Sequence, residues 1–164
     1  PMSKKIKTEK ETDAIKERLQ NYAALQRRLD NKIERLVYLE SITGSPSSPN
    51  LSGMPGGSGD GNSKTERHII QKEELKSEIK DMTRRECKER TELERLVKKM
   101  QDPDEQTVIE MRYFDNVKWR PICDTLYSSN PDYIDKVDKY MKRIFKIHGS
   151  ALQTLTRIQK EMEA

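Results

Sequence analysis

The sequence has little of the apolar material that a thick globular core or a membrane anchor needs. Hydrophobic residues make up 32% and aromatic residues 5% of its 164 residues, against 37% charged residues. It contains no run of about 18 apolar residues, and its first residues contain no apolar signal core. We therefore expect a soluble, cytoplasmic protein without a membrane partner, built from long two-faced helices and one small domain.

Residues for metal binding and catalysis are also scarce. The two cysteines, Cys87 and Cys123, lie far apart, and His68 and His148 offer no metal-ligand spacing with them. No glycine-rich phosphate loop follows a strand pattern, no nucleophile motif occurs, and the carboxylates are scattered along charged helix faces. The sequence thus predicts a protein that is not an enzyme and has no catalytic residue, metal or cofactor.

Glycine is confined almost entirely to one segment. Six of the seven glycines lie from Gly44 to Gly61, among prolines and serines. Because this composition cannot hold a helix, residues 43–63 are predicted to be a flexible linker.

Helical periodicity flanks the linker on both sides. Residues 1–42 form a predicted first long helix, and residues 64–101 a second one, which begins at a capping box from Ser63 to Glu66. The two helices either fold back as an antiparallel hairpin or pair between copies of the chain as a coiled coil, which would make a homo-oligomer. The apolar positions of the two stripes are Ile15, Leu19, Tyr22, Leu25, Leu29, Ile33, Leu36 and Leu39, then Ile69, Leu75, Ile79, Met82, Leu93, Leu96, Val97 and Met100.

Residues 102–164 predict a separate all-α domain of shorter helices. Asp102 or Asp104 is placed to cap a helix through "EQTVIEMRYF", "DNVK" predicts a turn, and "WRPICDTLY" predicts a short helix. The run from Asn130 to Asp132 is typical of a cap followed by a helix start. Since the apolar stripe then keeps its phase from Tyr133 to Met162, we predict one long last helix.

Two neighbouring residues of this last helix call for explanation. His148 falls within the apolar stripe, so we expect a buried, hydrogen-bonded histidine that orients packing. Gly149 costs about 1 kcal/mol relative to alanine in a helix, and close approach of another backbone would explain its presence. Tyr113, Phe114 and Trp119 are likewise predicted to be core residues.

Positive charge is concentrated on the side of the last helix opposite its stripe. The chain has a formal net charge of +4, yet from Asp102 onward ten Lys or Arg residues stand against eleven Asp or Glu. The stretch from Lys136 to Lys146 carries +4, counting its five basic residues against Asp138. A short helix, a turn and a long basic helix follow one another in the order of a helix-turn-helix unit, whose second helix enters the major groove of DNA.

These residues also resemble a known family. The stretch "EQTVIEMRYFDNVKWRPICDTL", followed by "IFKIHGSAL", is similar to the sigma-70 region 4-like domain of phage transcriptional regulators, the late-gene activators of the ArpU and RinA type from phages of Gram-positive bacteria. The resemblance covers roughly residues 104–158. It implies a sequence-specific DNA-binding transcriptional regulator, an activator of phage or mobile-element genes in the cytoplasm of a bacterial host cell. Double-stranded DNA would be its partner, and host RNA polymerase a further one.

Under this interpretation the long basic helix reads the major groove. Arg143 is placed for bidentate recognition of guanine, whereas lysines more often hold phosphate. The predicted DNA-binding residues are Lys118, Arg120, Ser128, Ser129, Lys136, Lys139, Lys142, Arg143 and Lys146.

One segment departs from the family pattern. The segment from Tyr127 to Lys139 is longer than the usual turn and contains Asp132, Asp135 and Asp138, which phosphate would repel. Either the recognition helix is extended at its start, or a separate short helix lies in the turn.

The alternative functions are a small-terminase-like DNA-packaging protein, whose long helices would build a ring, and a coiled-coil scaffold whose basic helix is only a solvated face.

Overall fold

The computed structural model describes residues 2–43 and 60–164, and among them the side chains of residue 4, residues 9–43 and residues 64–164. These residues contain helices and short connections but no strand, which confirms the predicted all-α class. Two compact units are formed, one by residues 25–87 and one by residues 1–24 with 88–164. The elements are α1 (Met2–Thr43), α2 (Asp60–Lys98), α3 (Pro103–Ile109), a π-helical turn (Glu110–Phe114), α4 (Trp119–Tyr127) and α5 (Val137–Glu163).

The predicted linker falls largely on residues 44–59, which lie outside the described residues. Its last residues are helical, because α2 begins at Asp60. Ser63 therefore lies inside the helix, and the predicted capping box from Ser63 to Glu66 is wrong as the start of α2. Glycine, asparagine and serine are weak helix formers whose cost of about 1 kcal/mol or less per residue does not stop a long helix.

Within residues 25–87, α1 and α2 run antiparallel and pack along most of their apolar stripes, whereas the predicted stripe residues Ile33 and Ile69 are exposed. Leu25 and Leu29 of α1 form a buried cluster with Met82 of α2. Farther along, Lys32 Nζ lies 3.0 Å from Glu78 Oε1. Of the two pairings that the sequence leaves open, the structure contains the hairpin within one chain.

In the other unit, the amino-terminal part of α1 and the end of α2 pack onto the second half of α5. Their core cluster combines Leu19 and Tyr22 of α1, Leu93 of α2, and Leu152 and Leu155 of α5. These side chains are almost fully buried, at 5% exposure or less. The last helix therefore shares a core with the two long helices.

The first half of α5 packs into a different cluster, formed with α3 and α4. Tyr140 and Ile144 of α5 lie together with Val108 of α3 and with Ile122 and Cys123 of α4. Because α5 belongs to two apolar clusters along its length, its orientation is fixed from both ends.

α3 and the π-helical turn contribute residues to both clusters, with Tyr113 and Phe114 in the first and Val108 in the second. Asp102 caps α3, as predicted, by accepting hydrogen bonds from the backbone N–H groups of Asp104 (2.9 Å) and Glu105 (3.3 Å). The π-helical turn that follows was not predicted. It closes with a 3.0 Å hydrogen bond from the Asp115 amide to the Glu110 carbonyl oxygen, five residues back.

α5 begins later than predicted, at Val137. The residues from Asn130 to Lys136 form turns, in which the Tyr133 amide donates to the Asn130 carbonyl at 3.1 Å. The predicted helix start at Asn130 to Asp132 is therefore wrong, and the connection is neither an extended recognition helix nor a separate short helix. Tertiary packing overrides the local pattern, because burial of Tyr133 in the second cluster holds the segment in turns.

Gly149 also differs from its prediction. It is exposed, and a Cβ built on it would meet nothing within 4 Å among the described residues. The expected close approach of another backbone of the chain is therefore wrong, since Gly149 lies on the outer side of α5.

Candidate nucleic-acid interface

The position of α4 against α5 follows from two fully buried side chains. Ile122 and Cys123 are both 0% exposed and pack with Ile144 of α5. Pro121 lies in the first turn of α4, where a backbone N–H would have no partner within the helix. The packing leaves the polar residues at both ends of α4 exposed to solvent.

Two tyrosines tie the connection between α4 and α5 to the helices. The Tyr133 hydroxyl donates to the Asp124 carboxylate in α4, and the Tyr140 hydroxyl in α5 donates to the Asp132 carboxylate. The hydrogen bond from each tyrosine lowers the pKa of the carboxyl group that accepts it. Burial, followed by the bond to Asp124, raises the pKa of Tyr133. Both carboxylates are therefore ionised and held by the fold.

The basic residues of α5 lie together on the side of the helix that faces solvent. Lys139, Lys142, Arg143 and Lys146 are all exposed, and at about 100° per residue they occupy an arc of about 100° opposite Ile144. None of the three lysines has an ion-pair partner among the residues that the structure describes. We call these four residues the basic face of α5.

Arg143 is held by a neighbouring aromatic ring. Its guanidinium carbon lies 5.1 Å from the centroid of the Tyr140 ring, a cation–π geometry. Because the Tyr140 hydroxyl is in turn bonded to Asp132, the ring below Arg143 has a fixed position. The guanidinium thus loses less freedom on binding a ligand than a lysine side chain would.

The other predicted DNA-binding residues are exposed but spread from the start of α4 to the start of α5. Lys118 precedes α4, and Arg120, in its first turn, is bonded to Asp124 at 3.2 Å. Ser128 and Ser129 follow the helix, about 13 Å farther along its axis. Lys136 lies at the start of α5, with its Nζ 3.7 Å from Asp132 Oδ2.

His148 lies on the inner side of α5, as predicted for a buried histidine. Its Nε2 shares a hydrogen bond of 2.7 Å with the Tyr113 hydroxyl, and its ring packs edge to face with Trp119 at 4.8 Å between centroids. Burial, with smaller effects from the cations Lys16 and Arg112, lowers the pKa of His148 to about 4. A neutral imidazole at physiological pH suits packing between aromatic rings.

One surface residue was missed in the sequence. Phe145 is 49% exposed on α5, between the positions of Lys142 and Lys146, and its ring lies 5.4 Å from that of Trp119. The Arg112 guanidinium covers the Trp119 ring at 4.6 Å. The sequence feature that could have indicated Phe145 is its position: it is an aromatic residue outside the apolar stripe, within a run of charged residues.

The described residues contain neither a cluster of metal ligands nor a helix suited to a membrane. Their His, Cys, Asp and Glu side chains nowhere form a group of three or more that could hold a metal ion. None of the helices within residues 2–43 and 60–164 has the length and apolar character to cross a membrane.

A family comparison matches residues 48–144, more than half of the chain, to a family described as "protein of unknown function (DUF1492)". The chain belongs to the DUF1492 family. No curated protein and no solved structure matches it. The DUF1492 description names no relationship to sigma-70 region 4, so that resemblance stays an expectation from the sequence.

The DUF1492 match includes most of the candidate interface. It spans α2, α3, the π-helical turn and α4, and it ends at Ile144 in the second turn of α5. Lys139, Lys142 and Arg143 therefore lie within the matched region, and Lys146 lies just beyond it.

Proposed function

We propose that this DUF1492 protein is a sequence-specific DNA-binding transcriptional regulator that uses α4 and α5 as a helix-turn-helix unit. The observation that carries the proposal is the basic face of α5, whose four residues are exposed while the opposite side of the helix is buried. A rigid helix with cations on its outer side fits the major groove of DNA.

The charges of the basic face suit a phosphate backbone. Three lysines without ion-pair partners among the described residues can each displace a counterion from a phosphate. Arg143 has the planar fork that matches the O6 and N7 acceptors of guanine, and its stacking on Tyr140 orients it. Phosphate contacts would thus give affinity, and Arg143 would give sequence preference.

The acidic connection limits where DNA can approach. Asp132 is held by Tyr140 and Lys136, whereas Asp135 and Asp138 are exposed. Asp138 lies in the first turn of α5, where a negative charge stabilises the helix. We therefore place DNA contact from Lys139 onward, with Phe145 available to touch a thymine methyl group.

Regulation of transcription is the part of the proposal that depends on the sequence resemblance. The similarity of residues 104–158 to sigma-70 region 4-like phage regulators supports an activator of phage or mobile-element genes, with host RNA polymerase as a second partner. Its place of action would be the cytoplasm of a bacterial host. Small terminases usually carry their DNA-binding unit at the amino-terminal end, so the carboxy-terminal position of α4 and α5 favours regulation over packaging.

The test is a comparison of DNA binding between Lys142→Glu/Arg143→Glu and a matched control, Arg84→Glu/Arg85→Glu. Both double variants change the net charge by the same amount, and both replace exposed residues. We expect the α5 variant to lose at least tenfold in affinity at low salt, and the slope of log affinity against log salt to become shallower by about 2. The α2 control should bind as the wild type does.

Selection of bound sequences from random DNA then separates specific from general binding. A defined motif is expected, and Arg143→Lys should relax preference for one guanine within it. If the α5 variant binds DNA as tightly as the wild type, DNA recognition by α5 is wrong and the scaffold alternative is supported. Activation of a reporter from the selected motif, rather than stimulation of a packaging ATPase, supports the regulator.

A further inference from the structure

Three of the exposed apolar side chains of the hairpin formed by residues 25–87 lie on one of its sides. Ile33 and Val37 of α1 are 40% and 55% exposed, and Ile69 of α2 is 50% exposed. With antiparallel packing and about 100° per residue, all three fall on the same side of the hairpin. The ion pair of Lys32 with Glu78 falls on the opposite side.

Charged residues border these apolar side chains with a different sign on each helix. On α1, Asp30 and Glu40 lie one turn before Ile33 and one turn after Val37, in the same helical phase. On α2, Lys72, Lys76 and Lys80 follow Ile69 along the same side. One edge of the side is therefore acidic and the other basic.

Most of these charges are not neutralised within the chain. Lys76 Nζ lies 3.7 Å from Glu73 Oε1 on the same helix. Among the described residues, Asp30, Glu40, Lys72 and Lys80 have no ion-pair partner. A surface that carries unpaired charges of both signs around an apolar centre is complementary to itself.

We propose that this side of the hairpin is a homodimer interface, in which α1 of one copy packs on α2 of a second copy to form a four-helix bundle. The arrangement of charges selects the symmetry. A two-fold axis parallel to the helices places each acidic edge on a basic edge, whereas an axis across the helices would place α1 on α1 and acid on acid. The ion pair of Lys32 with Glu78 shows which residues of α1 and α2 lie at the same height along the helix axes. Asp30 then lies at about the height of Lys76 and Lys80 of the second copy. Glu40 lies at about the height of Lys72.

The interface is independent of the proposed DNA contact, because it lies in the unit of residues 25–87 and the basic face lies in the other unit. If the protein binds DNA, the dimer determines which arrangement of binding sites it prefers. A two-fold symmetric dimer presents two copies of α5 and would prefer two half-sites related by symmetry.

Charge exchange on the full chain tests the proposal. Variant A carries Asp30→Lys with Glu40→Lys, and variant B carries Lys72→Glu with Lys80→Glu. Light scattering coupled to size exclusion at about 100 μM should show a dimer for the wild type and monomers for A and for B, because each variant brings like charges together. An equimolar mixture of A and B should restore the dimer, since both of its contacts again join opposite charges.

The control is Arg35→Glu with Glu74→Lys, two exposed residues outside this side of the hairpin, which should leave the dimer intact. Circular dichroism should show the same helicity for all variants, because none of the substituted residues is buried. A wild type that is monomeric at this concentration overturns the proposal. A dimer that survives in both A and B, or a mixture that stays monomeric, overturns it equally.

Discussion

His148 shows how one residue in an apolar stripe can be understood before its neighbours are known. Its phase in the helix predicted burial and a hydrogen bond. Both are confirmed, because the side chain is buried and its ring shares a hydrogen bond with the Tyr113 hydroxyl 2.7 Å away. The identity of that partner could not be predicted, because it comes from the π-helical turn 35 residues earlier in the chain. The residues Arg112 to Phe114, which help to carry the family resemblance, therefore have a packing role.

The depressed pKa of His148 predicts that stability depends on pH. In the unfolded chain the imidazole takes up a proton near pH 6.5, whereas in the fold it does so only near pH 4. The unfolded state thus binds more protons between these values, so the contribution of His148 is complete above pH 6.5 and is lost as the pH falls toward 4. We expect a loss of roughly 2 kcal/mol over this range, reduced from the full shift by partial hydration.

Urea unfolding at a series of pH values measures this loss. His148→Gln keeps a polar side chain that does not titrate, so its free energy of unfolding should change less between pH 6.5 and 4 than that of the wild type. Equal pH dependence in the two proteins would show that His148 is not the responsible group.

At the scale of the elements, the existence of the helices was easier to predict than their ends. The stripes predicted α1, α2 and α5 because burial of an apolar side repeats every three to four residues. The predicted end of a helix was wrong where a contact between residues distant in sequence determines the end in the structure. Burial of Tyr133 delays the start of α5. α2 begins earlier than predicted, at Asp60, because the small helix cost of glycine, asparagine and serine does not stop it.

Part of the candidate site was also predicted from the sequence, and part was not. The basic face of α5 follows from spacing alone, since exposure opposite a buried stripe is a property of one helix. The pairings of Tyr133 with Asp124 and of Tyr140 with Asp132 were not predictable, because they join three elements. Phe145 was missed because its contact with Trp119 depends on how α4 packs.

Gly149 gives a prediction for α5 as an element. Since its Cβ position is empty and the residue lies in the middle of a helix of 27 residues, alanine would cause no clash. Gly149→Ala should raise the free energy of unfolding by about 1 kcal/mol through helix propensity. Chemical denaturation measures the change. Ser150→Gly should lower stability, because it lowers helix propensity and also removes the hydroxyl that donates to the Glu105 carboxylate. A destabilising Gly149→Ala would indicate a neighbour that the fold does not show.

At the scale of the whole molecule, the two clusters along α5 link the long helices to the candidate interface. Leu19 lies in the first cluster, whereas Trp119, the only tryptophan, packs against the second. Leu19→Ala should therefore lower the denaturation midpoint of Trp119 fluorescence by the same amount as that of the helical signal, with a cost of about 2 to 5 kcal/mol.

The control for this experiment is Ile70→Ala, which removes a side chain that is 56% exposed and should leave both midpoints in place. Two separate transitions, with only the helical one moved by Leu19→Ala, would mean that the clusters unfold independently.

The shared helix also bears on how such a gene can be recombined. An exchange of segments between two related genes is tolerated when the residues on both sides of each crossover keep their packing partners. A crossover between residues 99 and 137 would separate Leu152 and Leu155 from Leu19 and Leu93, so the new core would combine unmatched surfaces. An exchanged segment with both of its ends within residues 25–87 would leave that core intact, because residues 1–24 and 88–164 would still come from one parent. We therefore expect functional chimaeras to have two junctions inside the hairpin, so that α4 and α5 are inherited together with residues 1–24 and the end of α2.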